Sequence, residues 1–359
     1  MNPSRRAWIL LNLARGGMPA DPGEIDPREI LSGDSRRLRA LGLESGTVER
    51  LVALRARGEP LLEQERAAAA GTRILIPGDE EFPRSLLDHP HRPPVLYLRG
   101  APLQDPPRAA IVGARAASRA MERFSARLGK ACAKAGVAVV SGLARGIDAA
   151  AHVGCLEGEG FPIGVLGTGI DVAYPRETRK LHAAVEANGS LLSTFPLGAQ
   201  PKPFHFPRRN RIVAALAERV VVVQATEDSG SISTARAALD TGTEVCAVPG
   251  SPDDPLARGT NSLLRDGAAP ILEPADLLDA LVGVGVCPRQ EHSTRTRKHI
   301  DRDGRIRLQI GSTPMTAQEI SRVTGLALPE VLERLICMEA DGKVERLPGR
   351  LFLRREPRV

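Results

Sequence analysis

A short segment of this sequence, PKPFHFPRRNRI at residues 201–212, combines cations with aromatic rings. Its cations are Lys202, Arg208, Arg209 and Arg211, and its phenylalanines are Phe204 and Phe206. Cations bind phosphates and flat rings stack on bases, so the combination is typical of a site for single-stranded nucleic acid. Two other interpretations are open: a solvated basic loop with core-packed phenylalanines, and a phosphate site for a dinucleotide.

The same segment contains the predicted start of a helix. Pro207 suits the first turn of a helix, and RRNRIVAALA continues it. Arg208 and Arg209 then lie at the helix start, where the macrodipole disfavours cations unless an anion is bound there. We therefore expect a phosphate at this helix N-terminus, with Lys202 supplying further positive charge.

Glycine-rich segments follow four predicted strands, and they read IVGARAAS (111–118), VVSGLARGIDAAAH (139–152), VLGTGIDVAYP (165–175) and TEDSGSISTA (226–235). Glycine lets the backbone approach a ligand closely, and the N–H groups at a helix start favour anions. GTGIDV lacks the third glycine of GxGxxG, GARAAS lacks the second, and no phosphate-loop lysine follows these turns. A nicotinamide dinucleotide site would rest on the fold alone, and we predict no cofactor.

Candidate catalytic groups are few. Asp148 and His152 stand four residues apart on a predicted helix and could meet on one face, or His152 could simply hold that helix against the glycine-rich loops. Ser141 and Ser229 have no base in the pattern, so no nucleophile, base and orienting group can be assembled. We predict no catalytic residues and no enzymatic activity.

The cysteines and the charge restrict the class of protein further. Five scattered cysteines lack zinc-ligand spacing, which favours a reducing cytoplasm and no metal. The net charge of +6 permits an acidic partner. No run of about eighteen apolar residues is present, so we expect no membrane association. The N-terminal MNPSRRAWILLNLARGG is interpreted as the start of a folded helix rather than a signal peptide.

A chain of 359 residues is expected to form two or three domains. Short apolar runs alternate with amphipathic stretches in its middle part, which predicts an α/β fold with a doubly wound, mostly parallel sheet. The predicted strands are the runs at 109–113, 137–142, 162–167, 190–194, 219–225 and 244–250. We divide the chain into a small helical domain (1–73), the α/β domain (74–286), a basic linker (287–304) and a winged-helix domain (305–359). The first resembles SAM or helix-hairpin-helix modules, although a plain packing domain has the same pattern.

The winged-helix prediction rests on the order helix, turn, helix and hairpin after residue 305. Its helices are TAQEISRVT and LPEVLERLICMEA, and its hairpin is KVERLPGRLFLRR. The second helix carries Glu330, Glu333 and Glu339, and this acidity argues against phosphate contact. Protein–protein contact is therefore at least as good an interpretation as DNA binding.

Seven ordered motifs resemble the DNA-processing protein A (DprA, or Smf) family. They are FPRSLLDHPHRPPVLYLRG, AIVGARAAS, VVSGLARGIDAAAHVGCLEG, VLGTGIDVAYPRE, FHFPRRNRIVAAL, SGSISTARAALDTG and VPGSPDDPLARGTNSLLRDGA, and they cover about residues 80–275. The resemblance implies an extended Rossmann-like domain that binds single-stranded DNA, forms homodimers and loads RecA recombinase during natural transformation. It implies no enzymatic activity.

The resemblance also implies a set of DNA-binding residues. These are Gly113, Ala114, Arg115, Ser118, Lys202, Phe206, Arg208, Arg209 and Asn210. Whether Phe204 or Phe206 stacks on a base stays open, although Phe206 aligns better. The sequence departs from the family pattern at Ala114, where a hydroxyl is usual, and at Thr194 and Gln224, where glutamate is common. An alternative is a nucleotide-binding enzyme like the phosphoribohydrolases of related fold, but DSGSISTARAA lacks the catalytic glutamate of their PGGxGTxxE loop.

Overall fold

The computed structural model describes residues 3–17, 27–87, 89–103, 107–282, 314–340, 344–347 and 351–354. It divides into two compact units, Met1–Arg289 and Gln290–Val359. The predicted linker at 287–304 lies outside the described residues, as do the ends of the predicted domains at 283–286, 305–313 and 355–359.

A nine-stranded sheet forms the centre of the first unit. Its strands are β1 Arg73–Leu75, β2 Leu96–Gly100, β3 Arg108–Val112, β4 Ala138–Ser141, β5 Pro162–Leu166, β6 Ser190–Ser193, β7 Arg219–Val222, β8 Glu244–Ala247 and β9 Ala269–Pro270. Their order in the sheet is β1-β2-β6-β5-β4-β3-β7-β8-β9. The seven strands from β6 to β9 pair in parallel, and β1 and β2 pair antiparallel at one edge.

Helices connect the strands and cover both faces of the sheet. They are α6 Arg84–Leu87, α7 Arg119–Lys134, α8 Ile147–Glu157, α9 Arg179–Asn188, α10 His205–Ala215, α11 Gly230–Leu239, α12 Arg258–Arg265 and α13 Pro274–Val282, with short 3₁₀ turns at Arg176–Thr178 and Pro255–Ala257. Strand β3 is buried along its whole length, as a parallel strand covered on both faces requires. The predicted doubly wound α/β class is confirmed.

The strand order contains a topological switch point. From β3 the chain proceeds to β4, β5 and β6 on one side, and β7 then returns to pair with β3 on the other side. The loops after β3 and β7 therefore diverge and leave a crevice at the carboxyl ends of these strands. Open α/β sheets bind ligands at such a crevice.

Within residues 3–17 and 27–72, five helices precede the sheet: α1 Pro3–Arg15, α2 Pro27–Ser32, α3 Ser35–Ala40, α4 Ser45–Ala56 and α5 Glu59–Ala69. They share a hydrophobic core with one face of the sheet, where Leu10 and Leu51 belong to the same buried cluster as Leu191. The buried carboxylate of Glu63 accepts hydrogen bonds from the Tyr97 hydroxyl (2.8 Å) and the Leu197 N–H (2.9 Å). A division at residue 73 stays a prediction.

The second unit contains the elements expected of a winged helix. Its described elements are β10 Met315–Thr316, α14 Ala317–Thr324, α15 Leu328–Ala340, β11 Val344–Leu347 and β12 Leu351–Arg354, and the sheet order is β10-β12-β11. Thr316 and Glu319 form a capping box at the start of α14, and Gly325 ends that helix with φ +72°. The turn at 348–350 lies outside the described residues.

In the part of the chain that the structure describes, no helix has the length and apolarity that crossing a bilayer requires.

Candidate functional site

A cavity of about 510 Å³ opens at the switch point of the sheet. Its walls come from the loops after β3, β4 and β7 and from the first turns of α10 and α11. The lining residues include Gly113, Ala114, Arg115, Gly142, Asp148, Phe206, Arg209, Asn210, Ser229, Gly230, Ser231, Ser233 and Thr234. Two glycine-rich loops, the basic-aromatic segment and a serine-rich helix start therefore meet at one place.

The glycine-rich loops after β3 and β4 pack tightly against each other. A β-carbon at Gly113 would come within 2.6 Å of the Ile147 side chain. Gly146 has φ +74°, a conformation that favours glycine, and it packs against the backbone of Ala114. The Ile147 N–H also donates to the Ala114 carbonyl at 3.3 Å. Interlocking of this kind fixes the backbone that carries Arg115.

Gln224, which follows β7, holds the Gly113–Arg115 turn from the other side of the crevice. Its carbonyl accepts the Ala114 N–H at 2.7 Å, and its side-chain Oε1 accepts the Ser118 N–H at 2.8 Å. Its Nε2 donates to Asp254 at 3.4 Å. An amide can both accept from the Ser118 N–H and donate to Asp254. A glutamate at this position could not donate and would place two carboxylates together.

Arg209 lies on the floor of the cavity and is only 5% exposed. Its Nη1 donates to the carbonyls of Gly142 and Val165, and its Nε donates to Asn210 Oδ1 at 3.1 Å. Nη2 has no acceptor among the described residues, so this nitrogen remains available to an anion in the cavity. Burial lowers the pKa of Arg209, nearby Asp148 opposes that effect, and Arg115 adds to it.

Asp148 and His152, the candidate pair on one helix face, are both buried. The buried Asp148 carboxylate accepts the Gly142 N–H at 3.2 Å; burial raises its pKa and Arg209 counteracts this. His152 is fully buried, and desolvation lowers its pKa to about 3, so the ring is neutral near pH 7. No hydrogen bond joins these two side chains within the described residues. The structure agrees with the interpretation that His152 packs its helix against the loops.

Asn210 links the basic-aromatic helix α10 to the serine-rich helix α11. Its Nδ2 donates to the Gly230 carbonyl at 3.0 Å and to Ser233 Oγ at 2.9 Å. Ser229 caps α11 by accepting the Ser231 N–H. The first N–H groups of α11 and these hydroxyls are thereby directed to one side of the cavity, where they attract anions.

Phe206 and Arg115 form a cation–π pair at the mouth of the cavity. The guanidinium carbon of Arg115 lies 5.1 Å from the centroid of the Phe206 ring, and that of Arg209 lies 5.9 Å from it. Tyr174, from the loop after β5, is 39% exposed and its ring centroid lies 5.7 Å from that of Phe206. A charged group and flat rings are thus side by side at the entrance.

The remaining sequence-predicted residues lie outside the cavity lining. Ser118 is the N-cap of α7, and its hydroxyl accepts the Met121 N–H at 3.3 Å. Lys202 and Arg208 flank the exposed ring of Phe204, with cation-to-centroid distances of 5.8 and 5.0 Å. The structure therefore brings six of the nine predicted residues to one cavity, and those six are Gly113, Ala114, Arg115, Phe206, Arg209 and Asn210.

Sequence reasoning left out residues that the structure adds to the site. Ser233 and Thr234, the fourth and fifth residues of α11, line the cavity, and Tyr174 stands against Phe206. The first two are the last residues of the glycine-containing motif SGSIST (229–234), so their position near a helix start after a strand could have indicated them. Nothing in the sequence marks Tyr174, which approaches Phe206 from a loop 32 residues earlier in the chain.

Fold and site together define a doubly wound α/β protein with a cationic, aromatic-rimmed crevice at its switch point, followed by a winged helix. Residues 73–282 match the family of DNA recombination-mediator protein A, and residues 291–350 match the DprA winged helix domain. The chain belongs to the family of DNA recombination-mediator protein A, and the winged-helix prediction is confirmed.

Individual relatives agree with this membership. Protein Smf of Synechocystis is 31% identical over 344 residues, which cover 86% of this chain and 86% of that protein. The X-ray structure of DprA from Streptococcus pneumoniae has a TM-score of 0.63 and 31% sequence identity, and the match covers 69% of this chain and 86% of the Streptococcus pneumoniae chain. A structure of DNA processing protein A from Helicobacter pylori, reported for its single-stranded DNA binding mode, has a TM-score of 0.52 and 28% sequence identity. The match covers 58% of this chain and 94% of the Helicobacter pylori chain.

Proposed function

We propose that this protein is a recombination mediator that binds single-stranded DNA at the switch-point cavity and loads RecA recombinase during natural transformation in the cytoplasm. One observation carries the proposal: Arg115 and Phe206, from segments more than ninety residues apart, form a cation–π pair at the mouth of that cavity. A cation beside a flat ring matches a nucleotide, which offers a phosphate and a base.

The interior of the cavity supplies the groups that a phosphate needs. Arg209 Nη2 has no acceptor among the described residues, and the first turn of α11 adds N–H and hydroxyl groups. A phosphate here shares the positive end of the helix dipole with a buried guanidinium. The same anion offsets the positive charge of Arg209, the fifth residue of α10.

Recognition of single strands follows from the half-buried ring of Phe206 and the exposed ring of Tyr174 at the entrance. Bases of a duplex are stacked on each other, so Phe206 and Tyr174 can stack only on bases that a single strand leaves free. The Helicobacter pylori relative is described as binding single-stranded DNA, which supports the same ligand for this chain.

We further propose that the protein acts without catalysis, metal or cofactor. Asp148 is engaged by a backbone N–H and faces Arg209, and burial keeps His152 neutral. Asp148 therefore has structural partners, and His152 is fully buried and is not among the residues that line the cavity. Incubation with nucleoside monophosphates should release no free base; release would favour the phosphoribohydrolase alternative.

A homodimer completes the proposal. At the β8–β9 edge of the sheet lies a second cavity of about 640 Å³, and Leu239 on it is 57% exposed. Its apolar lining residues include Ile232, Leu239, Val245 and Leu263, and its charged ones are Glu227, Arg236, Glu244 and Asp266. An apolar surface beside a sheet edge suits a second copy of the chain. Light scattering should show a dimer that Leu239→Glu converts to a monomer.

Binding of single- and double-stranded oligonucleotides of the same sequence, with and without RecA, tests the function. We expect tighter binding to the single strand, with affinity falling steeply between about 50 and 200 mM salt. With RecA and a competing single-strand-binding protein, the chain should increase RecA filament formation. Equal affinity for both strands would contradict single-strand recognition, and unchanged filament formation would contradict loading.

A further inference from the structure

Phe204 is the most exposed aromatic side chain among the described residues, at 51%. Most other large aromatic rings are buried, including Trp8, Tyr97 and Phe195. Tyr174, the other exposed aromatic ring in the part of the chain that the structure describes, lies against Phe206, two residues beyond Phe204. Phenylalanine is more often buried than exposed, so the groups around the Phe204 ring decide whether it can serve a ligand.

Two cations stand over the Phe204 ring. The Arg208 guanidinium carbon lies 5.0 Å from the ring centroid and Lys202 Nζ lies 5.8 Å from it. Neither side chain forms an ion pair with a carboxylate within the described residues. Their charge is therefore available to an anion next to the ring.

The fold holds the Phe204 ring in place from behind. Its edge meets the His205 ring at a centroid distance of 4.9 Å, and His205 stacks on the buried Phe195 at 4.1 Å. His205 Nδ1 is within 3.1 Å of the Gly167 carbonyl. A ring supported in this way loses little conformational freedom when a base stacks on it, which favours binding.

Phe204 does not line the switch-point cavity, whereas Phe206 does. Phe204 is the N-cap residue of α10 and Phe206 is the second residue of that helix, so their rings leave the backbone in different directions. The arrangement of ring and cations nevertheless repeats: Arg115 stands over Phe206, and Arg208 and Lys202 stand over Phe204.

We propose that Phe204, Lys202 and Arg208 form a second stacking site, which binds the base and adjacent phosphates of a nucleotide flanking the one held in the cavity. This inference rests on the proposed function. It assigns stacking to both phenylalanines at once, at separate nucleotides. Single-stranded DNA longer than the cavity can hold is the ligand that uses the second site.

Affinities of the full chain for oligothymidylates of about four and about sixteen nucleotides test the second site. Phe204→Ala should weaken binding of the longer strand roughly 5- to 100-fold, in the range of a lost base–aromatic stack, and change binding of the shorter strand much less. Phe204→Tyr should bind as the wild type does, because it keeps the ring. Leu61→Ala, which truncates another exposed apolar side chain (45%), is the matched control and should have no effect.

An abasic strand of the longer length separates stacking from a general loss of structure. Phe204→Ala and the wild type should bind this strand equally, since it offers phosphates without bases. Phe204→Trp supplies a direct readout: its emission should be quenched by the longer strand, whereas that of Leu61→Trp should not. The native Trp8 is 7% exposed and provides the constant background.

The outcomes distinguish this site from the cavity. If the wild type binds, Arg115→Ala loses affinity and Phe204→Ala binds the longer strand as the wild type does, the second site is wrong and the cavity stands. Weaker binding of the abasic strand by Phe204→Ala would also overturn stacking. If the wild type binds no single-stranded DNA, the proposed function fails and the second site fails with it.

Discussion

The backbone of Gly142 lies against the guanidinium group of Arg209. A β-carbon at residue 142 would stand 2.6 Å from Nη2 and closer still to Nη1 and Cζ. The missing side chain thus makes room for a buried arginine, and the Gly142 carbonyl accepts a hydrogen bond from that same arginine. Arg209, in turn, connects the carboxyl ends of β4 and β5 through Gly142 and Val165 and forms the floor of the cavity.

Substitution Gly142→Ala should displace Arg209 and reduce affinity for single-stranded DNA. Overpacking of a filled site costs about 1–3 kcal/mol of stability, and the displaced Nη2 no longer faces the anion. Isothermal titration and urea unfolding measure the two effects. Gly46→Ala is the control, because a β-carbon there meets only Arg50 Nη1 at 3.6 Å, an ordinary contact, and Gly46 lies on α4 and does not line the cavity. Equal behaviour of the two variants would contradict the role of Gly142.

Arg209→Lys should lower the free energy of unfolding by about 2 kcal/mol even though it keeps the charge. A lysine ammonium cannot serve the Gly142 and Val165 carbonyls and Asn210 together, so buried acceptors lose their donor. Urea denaturation measures the change. Arg208→Lys, at a partly exposed neighbour, should leave the unfolding midpoint unchanged, and a wild-type midpoint for both variants would show that Arg209 is not a structural donor.

Stability should fall below about pH 6.5 through two buried histidines. Desolvation lowers the pKa of His152 to about 3 and that of His182 to about 4, whereas both titrate near 6.5 in the unfolded chain. The unfolded state alone binds these protons between about pH 6.5 and 4. The loss is up to about 1.4 kcal/mol per pH unit for each histidine.

The urea unfolding midpoint measured as a function of pH checks this prediction. A variant without one of the histidines separates their contribution from that of carboxylates, which titrate at lower pH. His152→Gln should have a smaller decrease between about pH 7.5 and about pH 5 than the wild type, because one titrating group is removed. An identical decrease in the variant would mean that His152 protonates with the same pKa in both states.

Removal of residues 1–72 should destabilise the sheet. The deletion exposes Leu191 and takes Glu63 away from the buried Tyr97 hydroxyl and the Leu197 N–H. We expect a thermal midpoint lower by several degrees, or aggregation, since the core shared with the helices loses one side. A chain that ends at Val282 and lacks the second unit is the control. A normal midpoint for the first deletion would show that residue 73 is an independent domain boundary.

The sequence predicted most of the sheet because parallel strands are continuous apolar runs. β3 to β8 correspond to the predicted segments, whereas β1, β2 and β9 were missed. β9 has two residues, and β1 and β2 belong to an antiparallel edge whose pairing partner, β6, lies about ninety residues away. Neither local periodicity nor turn residues identify such strands.

The site was predicted in outline, and the roles of its residues were harder to assign. An arginine in FPRRN can bind phosphate or donate to backbone carbonyls. Only the three-dimensional packing shows that Arg209 Nη1 donates to the carbonyls of Gly142 and Val165. Phe204 and Phe206 are the same residue type, and they differ in the direction in which their side chains leave the start of α10. Directions of this kind depend on contacts with β5, Tyr174 and Phe195, which are distant in sequence.

The most direct test of the central claim is the affinity of Arg115→Glu for oligothymidylate. Arg115 is exposed and contacts Phe206, so the variant should unfold at the wild-type midpoint. We predict that it binds at least about 10-fold more weakly, with a salt slope reduced by about 1 or more. Arg57→Glu, which reverses an exposed charge on the N-terminal helices, should bind as the wild type does. Wild-type affinity and salt slope in a folded Arg115→Glu variant would contradict single-stranded DNA binding at this cavity.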